Sequence, residues 1–184
     1  MVYCVQPCPC GYYGDSQKPC TCAPATVTKY QKRISGPLLD RIDIHIEAPR
    51  VDYEKLSGDR VGESSEAIRG RVQAARNIQH ARFTNPDSRT LAPGASAGVS
   101  NNSSSSDIIC NADMRVGEIR RFCKLQDEGQ SLMRAAMTQL NLSARAYHRI
   151  LKLARTIADL AGSEDIQSVH LAEALQYRPK LMLS

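Results

Sequence analysis

The sequence predicts a mainly α protein, with one or two strands near its start and an all-α bundle at its end. Three observations carry that expectation. Apolar residues recur at helical spacing almost without interruption from Met114 onward. Only one stretch, Ile42-Asp43-Ile44-His45-Ile46-Glu47, alternates with period two, the pattern of a half-buried strand. Aromatic residues are only 5 % of the 184, with no Trp and two Phe, so a core must be built from Leu, Ile, Val and Ala. That length suffices for one domain or two small ones.

Met1–Val5 reads as the tail of a strand. Residues 8–22, CPCGYYGDSQKPCTC, form a compact loop with Gly11, Gly14 and Pro19 as turn formers. A short helix follows over Pro24–Arg33, started by Pro24 and carrying Val27, Tyr30 and Ile34 at helical spacing. Gly36-Pro37 opens a tight turn and a one-turn helix, Arg41 stands at its junction with the strand, and Pro49 closes the strand. After a polar connection over 50–62, Ser64 or Ser65 caps a helix running to about Phe83, with Ile68, Val72, Ala75 and Ile78 as its apolar stripe. Residues 84–106 lack periodicity and end in two asparagines and four serines, the composition of a flexible linker.

About four helices complete the chain. The first two carry Ile119, Phe122 and Cys123, then Leu132, Ala136, Met137 and Leu140. Asn141-Leu142-Ser143 is a break, with Ser143 as N-cap of a helix over 144–161. That helix has Tyr147, Ile150, Leu151, Ala154, Ile157, Ala158 and Ala161 on its buried side, and Gly162 stops it. The last, over 164–177, has Ile166, Val169, Ala172 and Leu175 as its stripe. The domains expected are 1–50, a connecting 51–110, and an all-α 111–184.

A net charge of +5 permits an anionic partner without requiring one. No apolar run reaches 18 residues and no secretory signal is visible, so the expected place is the cytoplasm. Seven cysteines are many for such a chain. Cys8, Cys10, Cys20 and Cys22 make two C-x-C pairs, which in a reducing compartment suit one structural zinc ion; reduced thiols in a surface loop are the alternative. Arg69, Arg76 and His80 share one helix face that suits phosphate oxygens of DNA or nucleotide, or is simply solvated. By itself Arg41 would be a solvated arginine.

The runs PCPCGYYGD, RISGPLLDRIDIHIEAPRVDY, NADM and LSARAYHRILKLARTIADLAGSEDIQSVHLAEALQYR occur in this order. Together they resemble the C-terminal part of the magnesium-chelatase-like AAA+ ATPases, in the ComM/YifB branch. The resemblance implies a remnant of an AAA+ α/β core, then a helical lid. It makes Arg41 the arginine finger, reaching in trans into a neighbour's ATP site. It makes Arg145 the sensor-2 arginine of the lid. Gln6 stands at the sensor-1 position, where the family usually has asparagine; its amide reaches further. Guanidinium suits both roles because it stays charged and matches phosphate oxygens bidentately.

The resemblance also implies ATP and Mg²⁺ as cofactors, a hexameric ring of like or P-loop-bearing subunits, and DNA branch migration in the intact relatives. No G-x-x-x-x-G-K-[ST] loop and no apolar run followed by Asp-Glu is present, so the chain is expected to be a fragment without ATPase activity of its own. Two other readings stand beside this one. The first is a fragment of a magnesium-chelatase subunit acting in porphyrin metallation. The second is a zinc-bearing nucleic-acid-binding module without ATPase activity.

Overall fold

The computed structural model of the chain describes residues 2–15, 17–39, 41–48, 51, 57, 62–84 and 108–178. The chain divides into two compact units, Met1–Arg60 and Val61–Ser184. Of the linker expected at 84–106, Thr84 ends a helix and 85–106 lie outside the described residues, as does most of the connection at 50–62.

In the first unit, α1 (Pro24–Gln31) begins on Pro24, whose fixed φ suits a first helical turn. Val27 is its buried residue. Backbone turns continue beyond it. Ile34 N–H donates to the Gln31 carbonyl, Leu38 and Leu39 to Ser35, Arg41 to Leu38, and Ile42 to Leu39. Within them α2 (Gly36–Leu39) is the expected single turn of helix. The strands expected at Met1–Val5 and Ile42–Glu47 do not form. Among the described residues there is no sheet, and Val2, Val5, Ile44 and Ile46 are exposed. A strand needs a ladder to a neighbour, and alternation supplies a face but no partner.

Among its described residues the second unit is built of helices joined by short turns. It comprises α3 (Ser65–Thr84), a 3-10 turn (Asn111–Asp113), α4 (Val116–Phe122), α5 (Asp127–Gln139), α6 (Ala144–Leu160) and α7 (Ser168–Gln176). The mainly α class read from the sequence is the class observed. At the centre lies α6, whose Ile150, Leu151, Ala154 and Ala158 join Met114, Ile119, Cys123, Met133, Ile166, Leu171 and Ala174 in one buried cluster. Its start is fixed by Asn141 at φ 46° and by the Ser143 hydroxyl, which accepts the Ala146 N–H. Its end is fixed by Gly162 at φ 67°, with Gly162 N–H donating to Asp159 and Ser163 N–H to Ala158.

Three details depart from the helical periodicities. The last helix starts at Ser168 rather than 164, because Ile166 is held in a parallel bridge with Leu125 outside any helix. The shorter helix therefore buries His170, Leu171 and Ala174 and leaves Val169 exposed. On α3 only Ala75 of the expected stripe is buried, beside Gln79, while Ile68, Val72 and Ile78 are exposed. The helix meets the bundle only toward its C-terminal end, where Phe83 packs edge-to-face on Phe122 at 5.7 Å. At the end of α6, Ala161 is exposed.

Candidate functional site

The cysteine loop is built from tight turns. Gly11 and Gly14 take φ of 81° and 85°, a region that a β-carbon would strain. Gly11 N–H donates to the Cys8 carbonyl, and one carboxylate oxygen of Asp15 accepts the N–H groups of Gln17 and Lys18. These turns fold the two C-x-C pairs onto each other. The sulfurs of Cys8, Cys10, Cys20 and Cys22 all lie within 4.8 Å of one another. Cys8 Sγ is 3.3 Å from Cys10 Sγ and 3.7 Å from Cys20 Sγ, and Cys10 and Cys20 are 3.4 Å apart. No disulfide joins any of the seven cysteines. A backbone hydrogen bond from Tyr12, helped by the Cys8 thiol and the Thr21 backbone, pulls the Cys10 thiol down to about 5. At Cys20 a backbone hydrogen bond from Cys22 is outweighed by burial and the Cys10 and Cys8 sulfurs, which push it up to about 12.

Arg41 lies two positions past the end of α2 and is exposed. Gln6 is exposed as well, and a β-carbon on Gly11 would stand 3.4 Å from its Oε1. In the second unit, Arg145 lies in the first turn of α6, two residues past the capping Ser143, and is exposed. Arg69, Arg76 and His80 are exposed along one face of α3. His80 Nδ1 lies 3.3 Å from the Thr84 hydroxyl.

One constellation escaped the sequence reading. Asp159, with a fully buried side chain, accepts both terminal nitrogens of Arg82, the Arg155 Nε at 3.0 Å and the Asn111 Nδ2 at 2.8 Å. Asn111 also receives Arg82 Nη1 at 2.9 Å on its own oxygen, and its backbone N–H donates to Gln79 Oε1. Each terminal nitrogen of Arg155 donates to a backbone carbonyl, Nη1 to Glu164 and Nη2 to Ser163. The network joins α3, the 3-10 turn, α6 and the loop after it. Its only local signal is the Arg155–Asp159 spacing of four on a helix. Asn111 is the first residue of the NADM run.

Comparison with known proteins gives this geometry a family. Residues 62–178 match the family described as "Magnesium chelatase, subunit ChlI C-terminal", and residues 1–56 match "Magnesium chelatase, subunit ChlI". The chain belongs to the magnesium-chelatase family. Within this family it is similar to the competence protein ComM of Haemophilus influenzae, at 38 % identity over 100 % of the chain and 31 % of that relative. It is 36 % identical to the uncharacterized protein YifB of Escherichia coli, over 97 % of the chain and 30 % of YifB. An uncharacterized Mycobacterium tuberculosis protein is 31 % identical over 97 % of the chain and 31 % of its own length. The chain spans about a third of the curated relatives it matches.

The ComM/YifB-type magnesium-chelatase membership covers both units, so the cysteine loop and Arg41 fall in one match and Arg145 and the buried network in the other. No helix among the described residues is long and apolar enough to cross a membrane.

Proposed function

We propose that this magnesium-chelatase family chain is the finger, sensor and lid portion of an AAA+ ATPase that remodels DNA, as in branch migration. In this reading residues 1–50 belong to the ATPase core, 51–110 connect, and 111–184 form the lid. Arg41 reaches from one subunit of a hexameric ring to the γ-phosphate held by the next and neutralises charge as the phosphoryl group transfers to water. Arg145 binds the nucleotide's phosphates from the first turn of α6, where the N–H groups of a helix start add to the positive field. Gln6 stands at the sensor-1 position with an amide that reaches further than the family's usual asparagine. ATP with Mg²⁺ supplies the phosphoryl group, on a subunit bearing the phosphate loop. The chain itself hydrolyses no ATP, and it works in the cytoplasm.

One observation carries this reading. Arg41 is exposed, and its backbone N–H closes a hydrogen-bonded turn onto the Leu38 carbonyl, so its Cα is placed by a short-range backbone structure. The test mixes the chain with a P-loop-bearing core of a ComM-type protein and measures ATP hydrolysis. Activity is expected to appear on mixing and to fall on the order of 10³-fold in Arg41→Ala, with little rescue by Arg41→Lys. Equal rates for wild type and Arg41→Ala would overturn it.

The α3 face of Arg69, Arg76 and His80 is the proposed DNA contact. Affinity for duplex DNA should fall steeply with salt, and the Arg69→Ala/Arg76→Ala pair should flatten that slope by about two. An unchanged slope would remove DNA from this face.

A further inference from the structure

The geometry points to one zinc ion held by Cys8, Cys10, Cys20 and Cys22, serving the Met1–Arg60 unit in place of an apolar core. Three observations lead there.

The first is the sulfur constellation. Four sulfurs at the corners of a zinc tetrahedron, with Zn–S of about 2.3 Å, stand about 3.8 Å apart. The observed separations of 3.3, 3.4 and 3.7 Å, all four atoms lying within 4.8 Å, need only a small relaxation to reach that figure. A disulfide would instead require about 2.05 Å. The donors come from two turns folded face to face, as a tetrahedral centre requires, and four protein ligands leave no position for a substrate.

The second observation is how little else the unit buries. Among its described residues only Cys8 and Val27 are buried. Val2, Val5, Ile44 and Ile46 lie in the open at 97, 57, 47 and 75 % exposure. Ordering a backbone costs about 1–2 kcal/mol per residue, and the two buried side chains among the described residues offset little of it. Small units with little apolar burial are ordered by a metal or by disulfides, and no disulfide joins the cysteines here.

The third is the connection outward from the cluster. Ala23, next to Cys22, accepts the N–H groups of Thr26 and Val27 and so opens α1. The Gln31 side chain at the far end of α1 returns to the Pro7 carbonyl, beside Cys8, at 3.2 Å. From Gln31 the backbone turns proceed to Arg41 and Ile42. The cysteine cluster thus anchors both ends of α1, and the run from Ala23 to Ile42 takes its bearing from it.

Tetrahedral sulfur donors also suit iron, so the experiment identifies the metal as well as its ligands. The full chain is purified under reducing conditions without added chelator, and its metal is measured by plasma mass spectrometry. Exchange into Co²⁺ is followed by visible absorption. One zinc per chain is expected, with the thiolate charge-transfer and tetrahedral d–d bands of a four-sulfur cobalt site. In the chain carrying Cys4→Ser and Cys110→Ser, a mercurial thiol reagent should release the zinc as the four ligand thiols react. Cys4→Ser and Cys110→Ser should keep full metal content, while Cys10→Ser and Cys22→Ser should lower it or alter the cobalt spectrum.

Hydrogen exchange gives a readout independent of those variants. Stripping the metal should speed exchange across 23–42 and leave 116–176 unchanged. A metal-free chain with freely titrating thiols, a chain carrying iron, or a cobalt spectrum with fewer than four sulfurs would overturn the site. Unchanged exchange over 23–42 would overturn its role as a core. None of these readouts depends on ATP hydrolysis.

Discussion

Removing the Asp159 carboxylate is expected to be the most costly single change on α6. Its side chain is fully buried, Arg155 is 4 % exposed and Arg82 is 14 % exposed. Four donor contacts converge on two oxygens. In Asp159→Ala the two guanidinium groups stay where their other bonds hold them, Arg82 on Asn111 and Arg155 on the carbonyls of Ser163 and Glu164, and no anion is left between them. Breaking a buried pair in this way costs about 3–5 kcal/mol. Asp159→Asn keeps the shape but turns one acceptor into a donor facing donors, a cost of about 1–3 kcal/mol. The exposed Arg71–Glu63 pair, at 2.9 Å with side chains 61 and 44 % exposed, is the control, and Glu63→Gln should cost less than about 1 kcal/mol. Urea unfolding followed by far-ultraviolet circular dichroism reads the difference. With a slope near 2 kcal/mol per molar, a loss of about 4 kcal/mol moves the midpoint by about 2 M. If Asp159→Ala unfolds within about 1 kcal/mol of Glu63→Gln, the network is not what fastens α3 to the bundle.

Ser143→Ala removes the acceptor for Ala146 N–H and should destabilise the bundle by about 1 kcal/mol in the same assay, with restoration by Ser143→Asp. Burial pushes the Cys123 thiol from 9.0 up to about 11, so iodoacetamide should modify it more slowly at pH 8 than the exposed Cys4, as read by peptide mapping. Because that value is raised in the folded state, its stabilising contribution is complete below pH 9 and is lost as the pH rises through about 11; Cys123→Ala should remove this alkaline limb. Asp113 is held below its ordinary 3.8, first by the Cys110 thiol and then by the N–H groups of Cys110 and Ile109. Its contribution is present above that ordinary value and lost as the pH falls through the lowered one, so Asp113→Asn should show a flatter acid limb below about pH 4.

The sequence discloses most where structure is local. Ser143 and Gly162 mark the ends of α6 because a cap is decided within three residues of itself, and the apolar spacing of Ile150, Leu151, Ala154 and Ala158 identifies its buried side. The two C-x-C pairs stand out on spacing alone, and the fold gathers their sulfurs. Tertiary choices are less visible. Nothing near Ile166 says that it bridges to Leu125, yet that bridge delays α7 and moves its buried face from Val169 to Leu171. The isoleucines of α3 mislead because the bundle takes only the end of that helix, at Gln79, Arg82 and Phe83. The alternation at Ile42–Ile46 looks like a strand because periodicity records sidedness and is silent about a pairing partner. Arg82 and Asp159 lie 77 positions apart, beyond any local pattern.

The grip of Arg82 on Asn111 and Asp159 means that α3 is held to the bundle by side chains and not only by the covalent chain. Arg82 and Asn111, 29 positions apart, are fastened to each other directly, and both close on the same buried carboxylate. A loss of any one of the three therefore strands polar groups of the other two, so the end of α3, the 3-10 turn and α6 should come apart together rather than one by one.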